Sequence, residues 1–384
     1  MIRASIVETA PLVLDVGVVL LLAGALGLIA RKFGLPAVVG YLFAGILVSP
    51  FTPGFVASND QLALFADIGV ILLLFEVGIE IDLRRITKEQ TGILFGAPLQ
   101  VIFTLALGTP IFIALGLPIL GALLLALSIA MSSSVVIVNI TRSKRRTTDT
   151  QTEEALIGFS VMQDIVGVGI AALILTIYGS SERSIAASIL GLIGFVAVAF
   201  VASKLIPAIL RILRWESDLF LIFSVAIGLT IAALGTRAFG IPMALAGFVA
   251  GIAINQSRDT DEVRKAILPF RDLFAVLFFV VIGSLLEPSQ ILSNLPFFGA
   301  LLLMLVFLKT LPAIAVARFG KLKANKLQFG IGISQVGEFS FVLGSAALVA
   351  GAITKSQFSA LLLTVTVSII LSTVLVRQIK RNLP

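Results

Sequence analysis

Asp164 and Lys309 are opposite charges set deep inside long apolar runs, and their types suit proton and cation chemistry. Asp164 lies eleven residues beyond Glu153 at the polar edge of its run, which is ~16 Å at 1.5 Å per helical residue. Lys309 lies nine residues before Arg318 and Ser133 nine before Arg142, each ~14 Å in; Glu338 lies twelve after Lys326, ~18 Å in. In a bilayer with a hydrocarbon core of ~30 Å, all four would reach the middle. A charge there costs at least ~2.5–3.5 kcal/mol, so Asp164 and Lys309 are expected to face the protein interior, and each other.

One buried carboxyl that meets a proton, a metal cation and an ammonium in turn can exchange one for another. The bland reading is an ion pair that only locks two helices, but such pairs stabilise poorly compared with apolar packing. Gln163, beside Asp164, can ligate a cation through its amide oxygen or pair with backbone. Met131-Ser132-Ser133-Ser134 interrupts an apolar run with three hydroxyls. Those serines either bond back to the preceding turn or mark an unwound stretch whose carbonyls and hydroxyls face an ion. Ser334-Gln335-Val336-Gly337-Glu338 interrupts a second run. Two broken helices would bring opposite dipole ends together, and Glu338 is expected to compensate the positive ends rather than ligate the ion directly. Glu76, eight residues before Arg84 and ~12 Å deep, is a candidate lining group of a cytoplasmic funnel.

The chain has no histidine and no cysteine. A proton switch must therefore use Asp, Glu or Lys, and a disulfide framework or thiol nucleophile is excluded. No cofactor is expected.

The elements that must position these residues are helices. Of 384 residues, 58% are hydrophobic and only 13% charged. Runs of about 18 or more apolar residues recur with short polar breaks, the pattern of spanning helices, and no alternating pattern suggests a barrel. Thirteen spans are expected, at 12–31, 36–50, 60–80, 92–116, 118–141, 153–178, 185–213, 218–237, 241–255, 270–286, 294–318, 326–350 and 357–377. With this count, 21 of the 28 Lys and Arg residues fall in one set of loops and only 4 in the alternate set. That asymmetry puts the N-terminus outside and the C-terminus in the cytoplasm of the inner (plasma) membrane. It also accounts for the net charge of +7 without nucleic acid. The N-terminus lacks a basic stretch before its first apolar run, so a cleaved signal peptide is not expected.

An internal repeat is visible. Phe33-Gly34-Leu35-Pro36 followed by Ala44-Gly45-Ile46 returns, 206 residues later and at identical spacing, as Phe239-Gly240-Ile241-Pro242 and Ala250-Gly251-Ile252. A weaker echo sets Leu74-Phe75 before Gly78 against Phe278-Phe279 before Gly283. Seven helices separate the copies, an odd number, so they run in opposite directions. The chain thus reads as one transmembrane domain: repeat one over 12–178, a linker helix at 185–213 and repeat two over 218–377. Inverted repeats of this kind belong to secondary transporters, with sites at the midplane where broken helices meet.

Gln163-Asp164 after the serine run, Lys309, and Gly337-Glu338-Phe339 together resemble the Kef branch of monovalent cation:proton antiporters. Leu72-Leu73-Leu74-Phe75, Gly78-Ile79-Glu80 and Leu277-Phe278-Phe279 before Gly283 are similar to the same group, so the resemblance covers essentially the whole chain. It implies the NhaA-like fold, all-α, with two crossed discontinuous helices in a core domain that moves against a dimerisation domain. It also implies a homodimer and an elevator-like cycle. Asp164 then matches the ion-binding, proton-carrying aspartate, Gln163 its neutral amide neighbour, and Lys309 the pairing lysine. Ser132, Ser133, Ser134 and the backbone near Glu338 match the crossover.

With one acid at the site, exchange of one monovalent cation for one proton is expected to be electroneutral. K+ follows from the resemblance, with Na+ as the alternative. The chain departs from Kef proteins in carrying no Gly-rich dinucleotide fingerprint, so no cytoplasmic nucleotide-binding domain is expected in it; regulation then comes from a separate cytoplasmic subunit, from a part of the protein beyond this sequence, or does not exist. A ligand-gated channel-like pathway would need a pore lined by carbonyls or acidic rings. A membrane enzyme would have to work with Ser, Asp and Lys alone.

Overall fold

The computed structural model describes residues 2–53, 59–80, 91–142, 145–178, 185–213, 216–255, 260–287, 289 and 294–379. Helices follow one another, and no strand occurs among the described residues. In chain order they are α1 (Ile2–Lys32), α2 (Ala37–Leu47), α3 (Asn59–Glu80), α4 (Thr91–Ala114), α5 (Ile119–Ala130), α6 (Ser134–Arg142), α7 (Thr150–Tyr178) and α8 (Ile185–Leu213). Then come α9 (Ser217–Phe239), α10 (Met243–Asn255), α11 (Thr260–Ser284), α12 (Leu295–Met304), a π-helical turn (Leu305–Thr310), α13 (Leu311–Phe319), α14 (Lys326–Ile333), α15 (Phe339–Val349) and α16 (Lys355–Gln378). Ten helical stretches are long and apolar enough to cross a membrane, and α2, α15 and most of α10 form shorter apolar helices.

Three expected spans differ in detail. The run at 118–141 is two helices, α5 and α6, with Met131 extended (φ −91°, ψ 141°) between them. The run at 326–350 is likewise α14 and α15, interrupted over residues 334–338. The run at 294–318 stays continuous but passes through the π turn that carries Lys309. The first helix also begins earlier than expected, at Ile2.

The chain divides into two compact units. The first comprises residues 1–27, 40–82 and 175–285; the second comprises 28–39, 83–174 and 286–384.

In the first unit, α3 packs on α10, and α2 on α11, at points where glycine removes the side chain. A Cβ on Gly251 would run into the Phe75 carbonyl and the Cα of Gly78, and one on Gly45 into the Val280 carbonyl and the Cα of Gly283. Each glycine of the sequence repeat thus meets the echo glycine of the other copy. The apolar centre of this unit includes Val19, Ala23, Ala44, Leu62, Leu277 and Val280. In the second unit, Ile93, Ile137, Leu156, Phe159, Phe329 and Ile333 form the corresponding core.

The repeated Phe-Gly-x-Pro segments share one backbone geometry. Gly34 (φ 82°) and Gly240 (φ 74°) end their helices in the left-handed region that glycine enters at no steric cost. Leu35 N then reaches back to Ala30 O, and Ile241 N to Gly235 O, while each following proline precedes the next helix.

Candidate functional site

Every candidate site residue except Glu76 lies in the second unit. The two interruptions meet there. Gly337 N donates to Met131 O (2.9 Å), and Ser132 Oγ donates to Ile333 O (2.8 Å). Ser133 and Gln335 pair reciprocally: Ser133 N donates to Gln335 Oε1 (2.9 Å) and Gln335 Nε2 to Ser133 O (3.1 Å). Breaking a helix inside a membrane frees backbone groups that no water or lipid can satisfy. Here each break supplies partners for the other, and Ser368 and Ser372 of α16 serve Val336 N and Ile331 O. Ser134, half-buried, begins α6.

Lys309 is fully buried, and its ammonium donates to Met131 O and to Gln335 O, both at 2.7 Å. One carbonyl lies just past the C-terminus of α5 and the other just past that of α14. The cation therefore sits on the negative ends of two helix dipoles. Glu338 sits at the opposite kind of end, immediately before α15, and accepts from Ser133 Oγ (2.8 Å), which precedes α6. One cation for two C-termini and one anion for two N-termini is a balanced set. Asp164 lies within electrostatic reach of the Lys309 ammonium and is nearly buried, at 7% exposure.

The π turn places Lys309. A π turn inserts one extra residue into a helix and re-aims the side chains on it. Pro312 has no amide proton, so it leaves Leu308 O without its regular helical partner. That carbonyl accepts from Thr104 Oγ1 of α4 (2.6 Å).

From Thr104 a chain of amides runs to the acid. Gln100 Nε2 donates to Thr104 Oγ1 (2.8 Å), which turns Gln100 Oε1 towards Gln163 Nε2, and that nitrogen also donates to Ala130 O (3.1 Å). Both acceptors of Gln163 Nε2 are oxygens, so the amide cannot be reversed without setting oxygen against oxygen. Gln163 Oε1 is consequently left buried with no hydrogen-bond partner. A buried unpaired acceptor is costly in an apolar interior and is well suited to a cation.

Of the two roles open to Gln163, the structure thus shows the amide nitrogen paired with backbone and the oxygen bare. Lys309 combines its electrostatic link to Asp164 with hydrogen bonds to the helix breaks. Gln100 and Thr104 were not among the sequence candidates. Their signal is neutral: two polar side chains one turn apart in an otherwise apolar helix, Gln100 nine residues into α4 and so ~14 Å deep. Gln335 lay in the interrupted stretch without an assigned part.

Glu76 stands apart, in the first unit. Its carboxylate is buried and accepts from Arg264 Nε (2.7 Å) and Arg271 Nη1 (2.8 Å), one on each oxygen.

A broken-helix bundle with a buried acid, a buried base and an unpaired acceptor in one unit suits an ion-coupled membrane transporter. The family model described as "Sodium/hydrogen exchanger, transmembrane" matches residues 17–379, and the chain belongs to that family. It is a multi-pass cation/proton antiporter, not an enzyme. An Escherichia coli (strain K12) relative named "Putative cation/proton antiporter YbaL" is 30% identical over 387 residues, covering 97% of this chain and 69% of that protein. Among solved structures, the fold is similar to that of the sodium proton antiporter MjNhaP1 from Methanocaldococcus jannaschii at pH 8. That match has a TM-score of 0.72 at 18% identity, over 97% of this chain and all of the other. A second structure of MjNhaP1 matches with a TM-score of 0.67 at 17% identity, over 94% of each chain.

Proposed function

We propose that Asp164 binds one monovalent cation or one proton, never both, and that the chain exchanges the two one for one without moving net charge. The observation that carries this reading is the bare, buried Gln163 Oε1 on the residue preceding Asp164, whose carboxyl lies within electrostatic reach of Lys309. The ammonium also lies within electrostatic reach of Asp164, so in this scheme the Asp164 carboxyl meets the proton, the transported cation and the ammonium charge in turn. Ser132, Ser133, Ser134 and Glu338 hold the breaks in place rather than ligate. Glu76, with both oxygens held by arginines, stands in this scheme as a funnel-lining group and not as a cation ligand.

K+ is the proposed cation, on the resemblance to Kef-type antiporters. Na+ is the second reading, favoured by the fold shared with a sodium proton antiporter. The antiport cycle is proposed to be elevator-like, with the second unit, which holds Asp164, Gln163 and Lys309, carrying the ion as one body. The reciprocal glycine contacts and the twice-used Phe-Gly-x-Pro geometry support two inverted repeats. The basic-loop asymmetry supports an external N-terminus and a cytoplasmic C-terminus in the plasma membrane. A homodimer and a separate cytoplasmic regulatory subunit complete the proposal.

Proteoliposome exchange with Na+, K+, Rb+ and Li+ under imposed potentials tests it. Electroneutral exchange predicts equal rates at inside-positive and inside-negative potential. A rate that follows the potential contradicts the one-for-one stoichiometry, and no exchange of any of the four cations contradicts the assignment.

A further inference from the structure

A groove of about 880 Å³ runs along the second unit, between α4 and the α12–α13 segment. Its walls are two ridges of residues four apart, the spacing that aligns side chains along a helix face. One ridge is Phe95, Leu99 and Phe103; the other is Phe307, Leu311, Ala315 and Phe319. Phe95 and Phe319 are 67% and 80% exposed, so the groove is open. Between the ridges the helices approach closely at glycines, because a Cβ on Gly96 would meet the Val316 side chain and one on Gly92 would meet Gly320 O. From Thr91 to Phe103 the groove is ~18 Å long, close to one leaflet's share of a ~30 Å hydrocarbon core.

The two ends differ. Among the described residues Lys321 is the only charged one lining the groove, and it stands at the Thr91 end, just past α13. It is also the one non-glycine residue with positive φ among the described residues, at 51°. At the other end lie Phe103 and Phe307, with Gln100 forming part of the floor. A slot that is apolar along one leaflet's depth and cationic at its surface end matches an amphiphile with one anionic head and an apolar tail.

We infer that this groove is a binding site for an anionic phospholipid, with one acyl chain between the two ridges and the phosphate at Lys321. A single lysine close to an anionic headgroup corresponds to a preference of about five-fold over a zwitterionic lipid.

Tryptophan quenching by lipids with brominated acyl chains tests the site without reference to transport. The chain has one tryptophan, Trp215, so W215F gives a dark background. Phe95→Trp then reports from the groove wall, and Leu303→Trp, at a position 60% exposed and outside the groove, reports on bulk lipid. In full-length protein reconstituted in phosphatidylcholine, brominated phosphatidylglycerol should quench Phe95→Trp at about five-fold lower mole fraction than brominated phosphatidylcholine does. It should quench Leu303→Trp no better than brominated phosphatidylcholine. Lys321→Asn removes the charge with a residue that tolerates the left-handed backbone, and should abolish the preference; Lys321→Arg should retain it. Equal quenching by both lipids at Phe95→Trp, or a preference that survives Lys321→Asn, would overturn the site. So would the absence of quenching by either lipid, which would mean that protein, such as a second copy of the chain, covers this face.

Discussion

Gln100 fixes the orientation of Gln163. Its Oε1 accepts from Gln163 Nε2, which leaves Gln163 Oε1 buried and unpaired next to Asp164. In the proposed cation site, the amide of Gln163 is thus oriented by a residue on another helix, α4, that itself carries no charge. Pre-orienting a ligand in this way reduces what must be ordered when the ion binds.

Gln100→Leu should free Gln163 to rotate and weaken cation binding without removing the proton carrier. The expected result is a rise of about ten-fold in KM for the cation, equivalent to ~1.4 kcal/mol, with a smaller change in kcat. Exchange kinetics in proteoliposomes check this, and an unchanged KM would show that the amide chain is only structural.

Lys309→Met should leave Gln335 O buried without its donor and Met131 O with Gly337 N alone. An orphaned acceptor costs about 1–3 kcal/mol, so thermal unfolding in detergent should shift clearly downward. A variant as stable as the wild type would show that the ammonium does not hold the breaks together.

Glu338→Gln keeps an acceptor for Ser133 Oγ but removes the charge at the α15 N-terminus. Loss of that dipole interaction is expected to cost up to ~2 kcal/mol in stability. Exchange should persist at a measurable rate. A stable variant with no exchange at all would instead make Glu338 an ion ligand.

Gly45→Ala and Gly251→Ala test the paired helix contacts of the first unit. Each added methyl meets backbone rather than a flexible side chain, so each should destabilise by about 1–3 kcal/mol. Similar losses from the two substitutions, measured by unfolding in detergent, fit equivalent positions in two repeats. A loss in only one argues against that equivalence.

The charged part of the site could be read in the sequence because a charge at membrane depth is rare and has to be accommodated. Asp164, Lys309 and Glu338 stood out for that reason, and the serine run and the Gly337 stretch marked both breaks. The repeat was readable because glycine was needed at the same backbone contacts twice, at Gly45 and at Gly251. Gln100 and Thr104 were not readable, since a neutral amide and a hydroxyl in an apolar helix carry little cost and commonly bond locally. Nor could the π turn be foreseen. A single extra residue leaves the hydrophobic run unchanged.

Proton release on cation binding tests the central claim most directly. Purified protein in weakly buffered detergent solution, titrated with K+ and with Na+, should release about one proton per chain at saturation by the transported ion if Asp164 exchanges one for the other. Asp164→Asn, folded by the same unfolding assay, should release none. Saturable cation binding without proton release in the wild type, or equal release from the Asn variant, would contradict the account.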